Sequence, residues 1–119
     1  MKIKVIGTQI YEDYEEKIEK IFDDAVVNIS DNIQIIYNDG EILFNKKLNR
    51  VEIKNDNNLI IELNEEKVLD YNTPYGIITL KTFGESFVIE NNPFKLTIRY
   101  IIKLNGTMQY ENIVEILET

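Results

Sequence analysis

Cysteine, histidine and tryptophan are all absent from the 119 residues. Without cysteine there is no disulfide framework, no thiolate nucleophile and no Cys-ligated zinc; without histidine, the commonest metal ligand and the usual acid/base near neutral pH are missing as well. A tight transition-metal site is therefore not expected, and no cofactor is indicated. Prolines number two and glycines five, and no Pro/Gly/Ser-rich linker or self-similar repeat breaks the chain, which reads as one domain over residues 1–119. Positive charge is also scarce. Thirteen Lys and Arg face 21 Asp and Glu, leaving −8, and only Arg50 and Arg99 carry a guanidinium. A phosphate backbone would meet net repulsion, so nucleic acid is an unsuitable partner. Nowhere do about 18 apolar residues stand together, as a membrane helix requires. The opening Met1-Lys2-Ile3-Lys4-Val5-Ile6 alternates like a strand and is too short an apolar run for a signal peptide, so a cytoplasmic protein away from membranes is expected.

What the chain does have is strand patterning. Turn residues at Asp31-Asn32, Asp39-Gly40, Asn55-Asp56-Asn57-Asn58, Thr73-Pro74-Tyr75-Gly76 and Asn105-Gly106 punctuate short apolar alternations such as Val51/Ile53, Leu59/Ile61/Leu63, Ile78/Leu80 and Phe87/Ile89. These are β-branched and aromatic types that suit a pleated, half-buried surface, and the spacing predicts about eight to ten consecutive antiparallel strands. The clearest is 93–104. There Phe94, Leu96, Ile98, Tyr100, Ile102 and Leu104 share one face, and Lys95, Thr97, Arg99, Ile101 and Lys103 share the other. Its return strand carries Met108, Tyr110, Val114 and Ile116 at even positions, so the apolar faces meet only through a loop of odd length. A three-residue loop ending at Gly106 in the left-handed region would set Ile102 against Met108, Tyr100 against Tyr110 and Leu96 against Val114.

One segment carries conflicting signals. Over 13–26, Tyr14, Ile18, Ile21, Phe22, Ala25 and Val26 form a helical stripe behind Asp13, with Glu16 placed as in a capping box, so local physics favours a helix.

The stretch Ile18 to Asp39, the turn Tyr71-Asn72-Thr73-Pro74-Tyr75-Gly76 and the block Tyr100-Ile101-Ile102-Lys103-Leu104-Asn105-Gly106 together resemble the YwiB-like family of small uncharacterised bacterial proteins. The resemblance spans most of the chain and implies an all-β fold: a single antiparallel calycin-like, lipocalin-type barrel. It also implies that 16–29 is strand, in keeping with the even spacing of Val27, Ile29, Ile33, Ile35 and Tyr37. The chain departs from the family pattern at Lys54-Asn55-Asp56-Asn57, where members carry Arg-x-Gly, and at Asp24, which replaces a glycine. The family brings no established activity with it.

Candidate chemistry is thin. The acidic pairs Glu12-Asp13, Glu15-Glu16, Asp23-Asp24 and Glu65-Glu66 lack calcium-loop spacing, and on strands adjacent acids point to opposite faces. Ser30 and Ser86 have no histidine to activate them, so no enzyme is expected. The candidate ligand-binding residues are Tyr75, Tyr100 and Tyr110, whose phenols could orient a ligand at or inside a barrel, and Arg99, which could hold a carboxylate. Thr73-Pro74-Tyr75-Gly76 reads first as a plain β-turn, ahead of a ligand role for Tyr75. With 14 asparagines in the chain, no single Asn stands out as a functional clue. The expectation is a non-enzymatic binder of a small apolar or neutral molecule, with Tyr100 the contact residue. The alternative is a protein–protein interaction module using an outer sheet face, marked by Ile101 and Ile113.

Overall fold

Period-two patterning between turn residues leads to strand along the whole chain. A computed structural model describes residues 1–104 and 108–119, and among these there is no helix. The strands are β1 (Ile3–Ile10), β2 (Glu15–Phe22), β3 (Val26–Ile29), β4 (Asn32–Tyr37), β5 (Gly40–Asn45), β6 (Arg50–Lys54), β7 (Asn58–Glu62), β8 (Glu66–Thr73), β9 (Gly76–Glu90), β10 (Lys95–Leu104) and β11 (Met108–Glu118). They form two antiparallel sheets, of six strands in the order β2-β1-β11-β10-β9-β8 and of five in the order β3-β4-β5-β6-β7. Each strand pairs with its chain neighbours except at β2/β3 and β7/β8, and β1 pairs with β11.

The segment with helical character is strand β2. All eight of its residues pair with β1, from Ile3 opposite Phe22 to Ile10 opposite Glu15. The ladder overrides the local preference because the stripe has nothing to bury against: Ile18 and Ile21 remain 63% and 55% exposed. The turn at Lys46–Asn49 between β5 and β6 is not among the turn clusters expected above, and the described residues hold eleven strands where about eight to ten are expected.

The core lies between the sheets. From the larger sheet, Ile3, Leu96, Ile98 and Ile116 are fully buried, with Tyr100 and Ile102 nearly so and Phe94 joining them from the β9–β10 turn; from the smaller come Ile33, Ile35, Ile42, Val51 and Ile61. Phe44 meets Phe87 edge-on across the interface at 5.6 Å. Burying an aliphatic or aromatic side chain of this kind stabilises the fold by about 1.5–3 kcal/mol each, which makes this layer the main source of stability. The other face of β10 is wet, as its pattern implies, and Lys95 pairs there with Glu115 at 3.3 Å.

The last hairpin corrects the expected register. β10 and β11 pair Leu104 with Met108, Ile102 with Tyr110, Tyr100 with Asn112, Ile98 with Val114 and Leu96 with Ile116. Parity is as expected, but the strands sit two residues away from the pairing of Ile102 with Met108 and Tyr100 with Tyr110. Both registers put the same residues on the same faces, so alternation cannot separate them. The observed one sets fully buried Ile116 against fully buried Leu96. The conformation of Gly106 lies outside the described residues.

The two sheets join at the β7/β8 corner. The inward parity of β9 switches from Leu80, Thr82 and Gly84 to Phe87 and Ile89 through a bulge opposite Arg99 and Tyr100. Beside that bulge the end of β7 lies against Gly84: a Cβ there would stand 2.6 Å from the Glu62 carbonyl oxygen, and the Asn64 N–H donates to the Gly84 carbonyl at 2.8 Å. The buried Thr82 hydroxyl donates to the Ile60 carbonyl at 2.6 Å. On the outer side Glu62 accepts from Arg50 at 3.2 Å and faces Lys67 at 2.6 Å; the Lys67 contact first, and those of Glu65 and Arg50 after it, hold its carboxyl below the ordinary range.

Candidate functional site

Alternation along β10 turns Tyr100 inward, between Gly84 of β9 and Asn112 of β11. It is 5% exposed, and its hydroxyl makes no hydrogen bond to the described residues. A pocket of about 240 Å³ opens beside it, between the sheets, lined by Tyr37, Tyr71, Tyr100, Leu59, Asn57 and Gly7 among others. A recess of about 160 Å³ adjoins this pocket. Gly7, Tyr100 and Val114 border both spaces, and Asn112, Gln9 and Glu16 are among the other residues of the recess.

Gly7 makes this space. It lies on β1 between Val114 and Ile18, where a Cβ would meet nothing within 4 Å. Each space falls below the roughly 300 Å³ at which drug-sized ligand sites begin, so a bound molecule would be small. A wider depression of about 550 Å³, sharing Asn55, Asn57 and Tyr71 with the pocket and rimmed by Lys20, Asp39 and Asp56, forms its outer mouth. Lys20 and Asp39 pair across that mouth at 3.7 Å, joining β2 to the β4–β5 turn. A further depression of about 510 Å³ is lined by Ile21, Phe22, Asp23, Asp24, Ile36, Tyr37 and Asn38, lies at the β2/β3 corner, and does not reach Tyr100.

The electrostatics favour neutral groups inside. Burial, then the neighbouring Tyr110 and Tyr71, push the Tyr100 phenol up from 10.0. Burial and Asp39 raise Tyr37, and burial with Tyr11 and Tyr71 raises Tyr110. These phenols stay protonated through neutral pH and serve as uncharged donors. Among the described residues no group of three or more acidic side chains converges as a metal would need.

The four residues singled out in the sequence are not brought together. Tyr100 lines both spaces. Tyr110 is half-buried on the same sheet face, stacked on Tyr11 at 5.3 Å, and Tyr11 stacks in turn on Tyr14 at 4.5 Å. Arg99 is on the opposite face, where it pairs with Glu111 at 3.5 Å. Tyr75 is 99% exposed at the tip of the β8–β9 turn, in which the Thr73 hydroxyl accepts from the Tyr75 N–H and donates to the Gly76 carbonyl, with Gly76 at φ 121°. Ile101 and Ile113 are half-buried; exposed apolar side chains gather instead at Val26 and Ile36, which face each other across β3 and β4. Sequence reading missed Gly7, Tyr71 and Asn112. The last had a signal: a polar residue at an even position in the otherwise apolar series Met108, Tyr110, Val114 and Ile116.

No protein-family model matches the chain, and no curated protein matches it. Among solved structures it is similar to the ywiB protein from Bacillus subtilis, with a TM-score of 0.55 over 98% of this chain and 89% of that one, at 12% sequence identity. At that identity the likeness is one of fold.

Proposed function

We propose that the two sheets are halves of one calycin-like, up-and-down barrel, opened at the β2/β3 and β7/β8 corners, which binds a small apolar or neutral molecule and catalyses no reaction. Support for the barrel is the strand order, which runs through the chain in sequence and returns from β11 to β1, together with the likeness to the ywiB protein. Barrels of about eight or more strands have room for one small ligand between their walls.

The observation that carries the binding reading is Tyr100: a buried phenol without a protein partner, at the boundary of two adjoining spaces. The pocket between the sheets carries Val5, Ile42, Ile53, Leu59 and Val114 beside neutral Tyr and Asn side chains, so an unpaired charge placed there would cost several kcal/mol, and the net charge of −8 works against anions in particular. The test is binding of an environment-sensitive apolar dye to wild type, Gly7→Val and Tyr100→Ala. Valine suits a strand and enters open space at residue 7, so Gly7→Val keeps the fold and occupies the pocket. Saturable binding by wild type that Gly7→Val abolishes is the expected result. No binding to folded wild type would overturn the reading, and the outer faces around Val26 and Ile36 would then become the place to seek a protein partner.

A further inference from the structure

We infer that the recess beside Tyr100 takes a neutral carboxamide-type group, a primary amide or a lactam edge, carried on an apolar body; this rests on the pocket binding a ligand at all. Asn112 is 4% exposed, and its Nδ2 is buried without a hydrogen-bond partner. A buried polar group left in that state is costly, and natural folds rarely keep one without a ligand or an ordered water to satisfy it. Asn112 lines the recess, and directly across the ladder stands Tyr100, which borders it too. Both residues line this one recess of about 160 Å³, so a single small molecule within it borders both.

The donor set selects the partner. Asn112 Nδ2 and the Tyr100 hydroxyl are donors, so the group between them presents an acceptor. An anionic acceptor is disfavoured because Glu16 also lines the recess and the protein is acidic overall. A cation would lie against the Nδ2 donor. A neutral carbonyl is left, and when that carbonyl belongs to a primary amide or a lactam, the adjacent N–H returns a hydrogen bond to Asn112 Oδ1. Two carboxamides then satisfy each other reciprocally while Tyr100 donates a second bond to the ligand oxygen. The pocket beyond Gly7 and Val114, with Val5, Ile42, Ile53 and Leu59 in its wall, receives the apolar remainder.

Three probes of one shape class test this: benzamide, isopropylbenzene, in which the amide becomes an apolar isostere, and benzoate. Each is titrated into the full chain by NMR, following the side-chain amide of Asn112, and into Asn112→Leu and Tyr100→Phe. The expected result is saturable binding of benzamide that shifts the Asn112 amide resonances, with no binding of benzoate. The benzamide-to-isopropylbenzene affinity ratio should fall about tenfold or more in Asn112→Leu. Should Asn112→Leu not fold, a fall in that ratio in Tyr100→Phe serves the same purpose. A ratio unchanged by either substitution, or benzoate bound as tightly as benzamide, overturns the carboxamide assignment and leaves the apolar pocket standing. Binding of none of the three to wild type overturns both.

Discussion

The side chain of Asn57 completes the exposed backbone edge of Asn72. Its Nδ2 donates to the Asn72 carbonyl at 3.1 Å, and its Oδ1 accepts from the Asn72 N–H at 2.9 Å. Asn57 lies in the β6–β7 turn of the smaller sheet and Asn72 on β8, the edge of the larger, so one amide spans the two sheets at the pocket mouth. Each such bond contributes about 0.5–1.5 kcal/mol net, and these two are solvent-exposed. Asn57→Ala should therefore cost about 1–2 kcal/mol in chemical denaturation and speed hydrogen exchange at the Asn72 amide. Asn57→Asp, which sets a second acceptor and a negative charge against the Asn72 carbonyl beside Asp56, should cost at least as much. Unchanged exchange at Asn72 in Asn57→Ala would show that the clamp does not hold the edge.

The Tyr100 series separates ring from hydroxyl. The hydroxyl has no protein partner, so Tyr100→Phe should alter stability by about 1 kcal/mol or less, whereas Tyr100→Ala removes a buried ring and should cost about 3–5 kcal/mol. A loss in Tyr100→Phe as large as that in Tyr100→Ala would mean that the phenol is bonded inside the protein and is not free for a ligand.

How much of this was legible in the sequence follows from what period-two patterning can encode. The inward set on β10 was readable because Leu96, Ile98, Tyr100 and Ile102 alternate with Lys95, Thr97, Arg99, Ile101 and Lys103 in one unbroken run, and Tyr100 was singled out as the polar member of the inward face. The register of the last hairpin was not, since a slip of two residues leaves every face unchanged. β2 was not legible from local pattern either. Its apolar residues are spaced for a helix and largely exposed, and the pairing that makes it a strand comes from distant β1. Asn112 was hidden by the abundance of asparagine, and Gly7 because a missing side chain carries no signal until the neighbouring strands show what space it leaves.

Two glycines should respond in opposite directions. At Gly84 a Cβ would stand 2.6 Å from the Glu62 carbonyl oxygen, and at the bulge neither backbone can withdraw without loosening the β7/β9 contact. Gly84→Ala should cost about 1–3 kcal/mol, as overpacking does. Gly7 has space, so Gly7→Ala should be neutral or stabilising by up to about 1 kcal/mol, mainly by restricting the unfolded chain. Equal losses at the two positions in thermal denaturation would contradict this account of the sheet junction.

The buried phenol also sets how stability responds to alkali. Burial is the first cause of the raised Tyr100 pKa, so the folded state keeps its proton at a pH where the unfolded chain, with an ordinary value of 10.0, has begun to lose it. A group whose folded pKa lies above its unfolded one contributes stability that is complete below the unfolded value and declines as pH rises past it. The loss approaches about 1.4 kcal/mol per pH unit for one proton held only by the native state. Tyr37 and Tyr110 shift in the same direction and add smaller parts. Wild type should thus lose stability between about pH 9 and pH 12 more steeply than Tyr100→Phe, because the variant lacks the strongest of these linked protons. Denaturant titrations of both proteins across that range provide the measurement, with phenolate absorbance followed in parallel. Parallel stability curves, or a Tyr100 phenolate signal that develops while the fold is intact, would show that the phenol reaches solvent in the native state, and the pocket wall described here would not be closed around it.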